Sequence, residues 1–131
     1  MRCYTLRDGQ YVDCLSLENA SLAWTAGAMV STGPDLLKFA RAVFEGGLVP
    51  PGLRQAELDF QPMENWGDYG LGVTRQGAGA AERWGHTGRT VGFSTALWYY
   101  PADGSVVAVL ANLQRADTAR LADEVHALLQ L

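Results

Sequence analysis

Apolar residues recur at helical spacing in the first half of this chain and alternate with polar ones in the second, and the change of period falls at Tyr69. Leu36, Leu37, Ala40, Val43 and Phe44 form the clearest helical stripe. Ser31-Thr32-Gly33-Pro34-Asp35 stands before it as a start signal, with Thr as cap, Asp three residues on, and Pro in the first turn, where its missing N–H costs nothing. Gly46-Gly47 ends it. Upstream, Tyr4 to Leu6 and Tyr11 to Cys14 flank Asp8-Gly9, the signature of a two-residue hairpin turn. A polar stretch, Ser16 to Ser21, follows, and Ala23 to Val30 leads into the helix. Pro50-Pro51-Gly52 opens a shorter helix near Leu53 to Leu58, after which the chain reads as irregular to Asp68.

From Tyr69 the period of two predicts strands at Tyr69 to Thr74, Glu82 to His86, Gly92 to Tyr100 and Ser105 to Asn112. Their connections are short and glycine-rich, which favours antiparallel hairpins over crossovers. Val106 to Ala111 is apolar on both faces and reads as a buried central strand. Ala116 to Leu131 reads as a closing helix whose stripe of Leu121, Val125, Leu128 and Leu129 covers one face of the sheet, with His126 on its surface. The predicted fold is α+β: an antiparallel sheet of about four to five strands with helices packed on it, one domain over residues 1–131.

Composition narrows the function. The 131 residues, 48% of them hydrophobic, suffice for one real core. A net charge of −4 and a thin scatter of nine arginines and Lys38 give no basic stripe, so no nucleic acid and no anionic membrane is expected as a partner. Arg2, Arg7 and Asp8 with no apolar run behind them predict no signal peptide, and no stretch reaches the ~18 apolar residues of a membrane span. Two cysteines and two histidines without CxxC or HExxH spacing predict neither metal nor cofactor. Counting back along the hairpin places Cys3 opposite Cys14, at a separation a disulfide accepts; two reduced, packed thiols are the preferred reading.

The chemistry centres on Gly85-His86-Thr87-Gly88, which joins a titratable ring, a hydroxyl and bare backbone where one strand ends and the next is about to begin. The order of signals around it carries a resemblance. Ala26-Gly27-Ala28-Met29-Val30-Ser31-Thr32, Asp35-Leu36 with Phe39, Tyr69-Gly70-Leu71-Gly72, Gly85-His86-Thr87-Gly88, Gly92-Phe93, and Pro101 with Asp103-Gly104 and the run to Asn112 follow one another. Together they look like the C-terminal part of the serine β-lactamase-like hydrolases, the superfamily of class C β-lactamases, D-alanyl-D-alanine carboxypeptidases and related esterases. The resemblance runs from about Tyr4 to the end and implies a partial β-lactamase/transpeptidase-like fold, in a family whose members are often exported.

The resemblance also assigns roles. His86 stands where the family has Lys or His and would relay a proton near the active-site serine; Thr87 would offer its hydroxyl to the substrate carboxylate. Gly88 would let an extended ligand approach the strand, and the backbone N–H of Arg89 would be one of two oxyanion donors. The family's other two elements are missing from these residues. Lys38 is the sole lysine and Asp35 stands three before it, so no Ser-x-x-Lys exists; no Tyr or Ser has Asn two positions later. The implied function is a fragment or truncated relative of a serine acyl hydrolase acting on a β-lactam, a D-Ala-D-Ala peptide or an ester, inactive alone. The alternative is a non-catalytic binding or assembly module that retained the sheet.

Two further expectations follow. Gly92-Phe93-Ser94-Thr95-Ala96 approximates a nucleophile elbow, but Ser94 sits inside a continuous strand instead of at a strand-to-helix turn, so it is rejected as a nucleophile. In the resembling family, strands from the N-terminal part complete the sheet beside the last strand. Ser105 to Asn112 is therefore expected to have an open edge, met by a homodimer, a swapped assembly, or the Tyr4 to Cys14 hairpin.

Overall fold

In the computed structural model, which describes residues 2–14, 23–27 and 29–131, Asp8 and Gly9 both adopt positive φ, at 49° and 78°. That is the twist a two-residue hairpin requires, and it pairs β1 (Tyr4–Arg7) with β2 (Gln10–Asp13) from Arg7 opposite Gln10 outward. Cys3 and Cys14 close the open end as a disulfide, with Cα atoms 5.5 Å apart, correcting the expectation of two free thiols. The polar stretch Ser16 to Ser21 lies outside the described residues.

A single helical turn, α1 (Trp24–Gly27), precedes α2 (Gly33–Phe44). Thr32 caps α2 as its sequence predicts: its hydroxyl accepts from the Asp35 N–H at 3.3 Å and donates to the Asp35 carboxylate at 2.8 Å, a device that contributes about 1 kcal/mol. The shorter helix α3 (Pro51–Glu57) follows.

Six strands then build one antiparallel sheet in chain order: β3 (Gln61–Met63), β4 (Gly67–Tyr69), β5 (Thr74–Gln76), β6 (Arg83–Thr90), β7 (Phe93–Tyr100) and β8 (Ser105–Ala111). Two expectations are corrected here. Tyr69 to Thr74 is not one strand but the turn between β4 and β5, closed by the Gly70 N–H on the Val73 carbonyl at 2.8 Å. The segment before Asp68 is not irregular, because Gln61–Met63 pairs with Gly67–Tyr69.

Helices cover both faces. Ala96, Trp98, Tyr100 and Val107 pack beneath Ala122 of α4 (Thr118–Leu129). On the opposite face Ala40, Val43 and Phe44 of α2 pack with Val73, Trp84, Leu97, Tyr99 and Val106. This explains why Val106 to Ala111 is apolar on alternate sides, yet β8 is not central: it is the last strand of the sheet. The hairpin meets only its end, where the Tyr4 N–H donates to the Asn112 carbonyl and the Gln114 N–H to that of Tyr4, both at 2.9 Å.

The closing helix turns differently from its apolar stripe. Thr118, Ala122 and His126 are its buried residues, whereas Leu121, Val125, Leu128 and Leu129 are exposed. Trp98 and Tyr100 fill the space beneath the helix, so its inward side carries small or flat residues. His126, expected at the surface, is 9% exposed. Its Nε2 lies 3.2 Å from the Asp103 carboxylate, and Gln130 donates to the same group. Asp123 of the helix pairs with Arg83 of β6, whose guanidinium also lies 4.8 Å above the Trp98 ring. Burial lowers the Arg83 pKa and raises that of the Tyr100 phenol. No helix among the described residues is long and apolar enough to cross a membrane.

Candidate active site

His86, Thr87 and Gly88 lie in mid-strand, because β6 continues to Thr90 instead of ending at His86. Gly85 makes the approach to this stretch tight: its φ is +150°, and a Cβ there would run into the Leu97 carbonyl of β7. β7 pairs with β6 from Trp84 to Thr90, but β5 pairs only with Arg83, Trp84 and Gly85. From His86 onward the other side of β6 therefore carries no strand among the described residues. An extended edge of this kind offers backbone groups to a ligand.

Register decides which side chains share a face, since directly opposed residues project together. Thr87 and Arg89 lie opposite Ala96 and Ser94, on the side of α4, whereas His86 and Gly88 lie opposite Leu97 and Thr95. A groove of about 660 Å³ runs along the first side, lined by Trp66, Thr87, Gly88, Arg89, Ser94 and Arg115 with the first residues of α4. Thr87, Gly88 and Arg89 are thus brought together on one cavity, and His86 is not among its lining residues. Gly88 is exposed, and a Cβ there would lie 2.5 Å from the Thr95 hydroxyl, so its bareness also suits its cross-strand neighbour.

His86 is half-buried and tied at both ring nitrogens. The Tyr69 hydroxyl is 2.9 Å from Nε2, and Nδ1 lies 2.5 Å from the Thr87 carbonyl. Tyr69 meets the ring edge-on, with centroids 5.7 Å apart, and Trp66 lies at 6.1 Å. Sequence reasoning singled out neither as a neighbour of His86, and it did not place Arg115 on the groove. Tyr69 is brought in by the β4–β5 turn, a relationship no local motif encodes. Among the described residues no cluster of three His, Cys, Asp or Glu side chains is arranged to hold a metal ion.

A helix-covered antiparallel sheet with His-Thr-Gly on an open strand edge is the architecture of the serine β-lactamase-like hydrolases. The chain belongs to the beta-lactamase family, whose model matches residues 3–131. Among solved structures it is similar to a D-stereospecific amidohydrolase from Streptomyces sp., with 26% identity and a TM-score of 0.81 over 96% of this chain and 38% of that one. It is similar in fold to a D-amino acid amidase from Ochrobactrum anthropi SV3, with 24% identity and a TM-score of 0.82 over 98% of this chain and 41% of that one. A penicillin binding protein from Bacillus halodurans shares the fold at 21% identity and a TM-score of 0.72, covering 97% and 39% of the two chains. This chain therefore spans about two-fifths of the length of each. No curated protein matches it.

Proposed function

We propose that this chain supplies the substrate-holding wall of a serine acyl hydrolase and does not turn over substrate by itself. The observation that carries the reading is the unpaired edge of β6 at His86-Thr87-Gly88-Arg89, with Thr87, Gly88 and Arg89 lining one groove. In this reading Thr87 binds a polar group of the substrate, Gly88 leaves room for its backbone, and the Arg89 N–H is half of an oxyanion hole. His86, whose side chain lies on the other face of β6 and outside that groove, takes the proton-handling role by the family resemblance alone.

The attacking serine must come from outside these residues, because none of their serines is followed three positions later by lysine. Half an oxyanion hole without a nucleophile stabilises no tetrahedral intermediate. For the substrate, the similarity to a D-stereospecific amidohydrolase favours an acyl group on a D-configured residue, as an amide, a D-Ala-D-Ala peptide, a β-lactam or an ester. The side of β8 that pairs with no strand among the described residues fits completion by an N-terminal part, or a homodimer or swapped assembly through residues 105–112.

The test is chemical. The pure chain is incubated with a fluorescent penicillin, a D-amino acid amide and a chromogenic ester, and its intact mass is taken. No adduct and no turnover are expected; a covalent adduct on any serine overturns the inactive-alone claim. Grafting these residues onto the Ser-x-x-Lys portion of a relative should then produce acylation that Thr87→Val and His86→Ala each reduce, and an unaffected rate in both variants removes the wall assignment. A non-catalytic module is favoured instead if the chain binds the same compounds and the graft stays silent.

A further inference from the structure

We propose that Tyr69 is a positioning residue for His86: its hydroxyl holds the imidazole against the Thr87 carbonyl, where only the tautomer that carries hydrogen on Nδ1 makes a hydrogen bond. The inference deepens the reading of His86 as part of the substrate wall and rests on that reading for its functional meaning. A carbonyl oxygen has no hydrogen to give, so the 2.5 Å approach of Nδ1 to the Thr87 carbonyl is a hydrogen bond only when Nδ1 bears the proton. A neutral imidazole bears one ring proton, so Nε2 is then bare. The group 2.9 Å from Nε2 is the Tyr69 hydroxyl, which must be the donor.

The Thr87 carbonyl, which can only accept, sets the tautomer, and the Tyr69 hydroxyl, which can donate or accept, holds the ring on that carbonyl. The edge-on phenol and the Trp66 ring further restrict how far the imidazole can swing.

The arrangement has a consequence for proton movement. Both ring nitrogens are occupied by the protein, so a proton reaches Nε2 through the phenol oxygen or after the ring has left it. In the first route Tyr69 passes its own hydroxyl proton to Nε2 as its oxygen takes another from the reacting group, leaving Tyr69 neutral and His86 singly charged. The contact survives that change with its polarity reversed, since a phenol accepts as readily as it donates. Tyr69 therefore orients the ring in both protonation states without a heavy atom moving.

The experiment is long-range nitrogen–proton NMR of the imidazoles in the 131-residue chain, with Tyr69→Phe compared. The chain has two histidines, so His126 is an internal reference for the fold. The expected result is a single Nδ1–H tautomer for His86, replaced in Tyr69→Phe by a mixture with the Nε2–H form while the His126 signals stay in place. An Nε2–H ring in the unaltered chain overturns the proposal, as does a tautomer unmoved by Tyr69→Phe. If that variant loses the His126 signals through misfolding, the tautomer of the unaltered chain still decides whether the hydroxyl donates. No substrate is present, so a negative result leaves the wall assignment standing, and failure of the acylation graft leaves the tautomer result standing.

Discussion

The imidazole of His126 lies flat against the phenol ring of Tyr100, with centroids 3.5 Å apart and planes within 5° of parallel. The stack joins the last turn of α4 to the end of β7, and the Asp103 carboxylate in the turn after β7 receives the same imidazole at 3.2 Å. One residue thus anchors the closing helix by its face and by its edge.

Replacing His126 by Ala removes both anchors and leaves a flat void over Tyr100. We expect a loss of about 2–3 kcal/mol in urea unfolding, in the range of buried large-to-small changes. His126→Phe keeps the stack and should recover more than half of that loss. Equal destabilisation by the two variants would show that the edge contact to Asp103 dominates.

Asp103 has its pKa lowered to about 2, first by the Ser105 backbone N–H, against a smaller opposing effect of burial, and then by Ser105, Gln130 and His126 side-chain bonds. A carboxylate whose folded pKa is depressed stabilises the fold fully above its ordinary pKa of about 4, and that contribution fades as pH falls toward about 2. Stability should therefore drop across that interval, and Asp103→Asn should flatten this part of the acid limb. Melting temperatures of the two proteins between pH 5 and pH 2 check it.

Gly92 holds φ at +76°, and a Cβ on it would collide with the Cys14 sulfur and lie 2.5 Å from the Cys3 Cβ. Gly92→Ala should cost about 3 kcal/mol or prevent the hairpin from seating, by overpacking and backbone strain together. The penalty should shrink when Cys3 and Cys14 are both changed to Ala, and a double-mutant cycle by denaturation measures that coupling. An undiminished penalty would assign the whole effect to the φ angle.

Ser94 is 2% exposed, and its hydroxyl has no hydrogen-bond partner among the described residues. Ser94→Ala should raise stability by about 1 kcal/mol, because it removes a desolvated polar group at almost no change in volume. A fall in the urea midpoint would reveal a hydrogen bond that the hydroxyl does make.

Features written in short stretches of sequence are legible in the sequence itself. Asp8-Gly9 set the register of the first hairpin, Thr32 with Asp35 set the start of α2, and the period of two from Phe93 to Tyr100 marked β7, whose residues alternate between half-buried and buried. The membership of the family was likewise readable from the order of motifs around His86. Lateral position was not. Apolarity on both sides of Val106 to Ala111 reports helices above and below, and it says nothing about a neighbouring strand.

The orientation of α4 misled for a related reason. The sequence offers four large apolar residues on one stripe, but the space beneath the helix is already filled by Trp98 and Tyr100 and admits only Thr118, Ala122 and the flat ring of His126. The tie between Tyr69 and His86 spans seventeen positions and depends on how the β4–β5 turn delivers a side chain to a strand edge. The disulfide was geometrically allowed by the hairpin count, and composition alone gave no ground for choosing it over thiols.

The outward rank of Leu121, Val125, Leu128 and Leu129 changes what a mutational scan of these 131 residues can detect. Polar replacements there would leave the unfolding midpoint nearly where it was, and they would raise solubility. A ranking by thermal tolerance alone would score this rank as silent, so a survey of the chain has to record self-adhesion alongside melting.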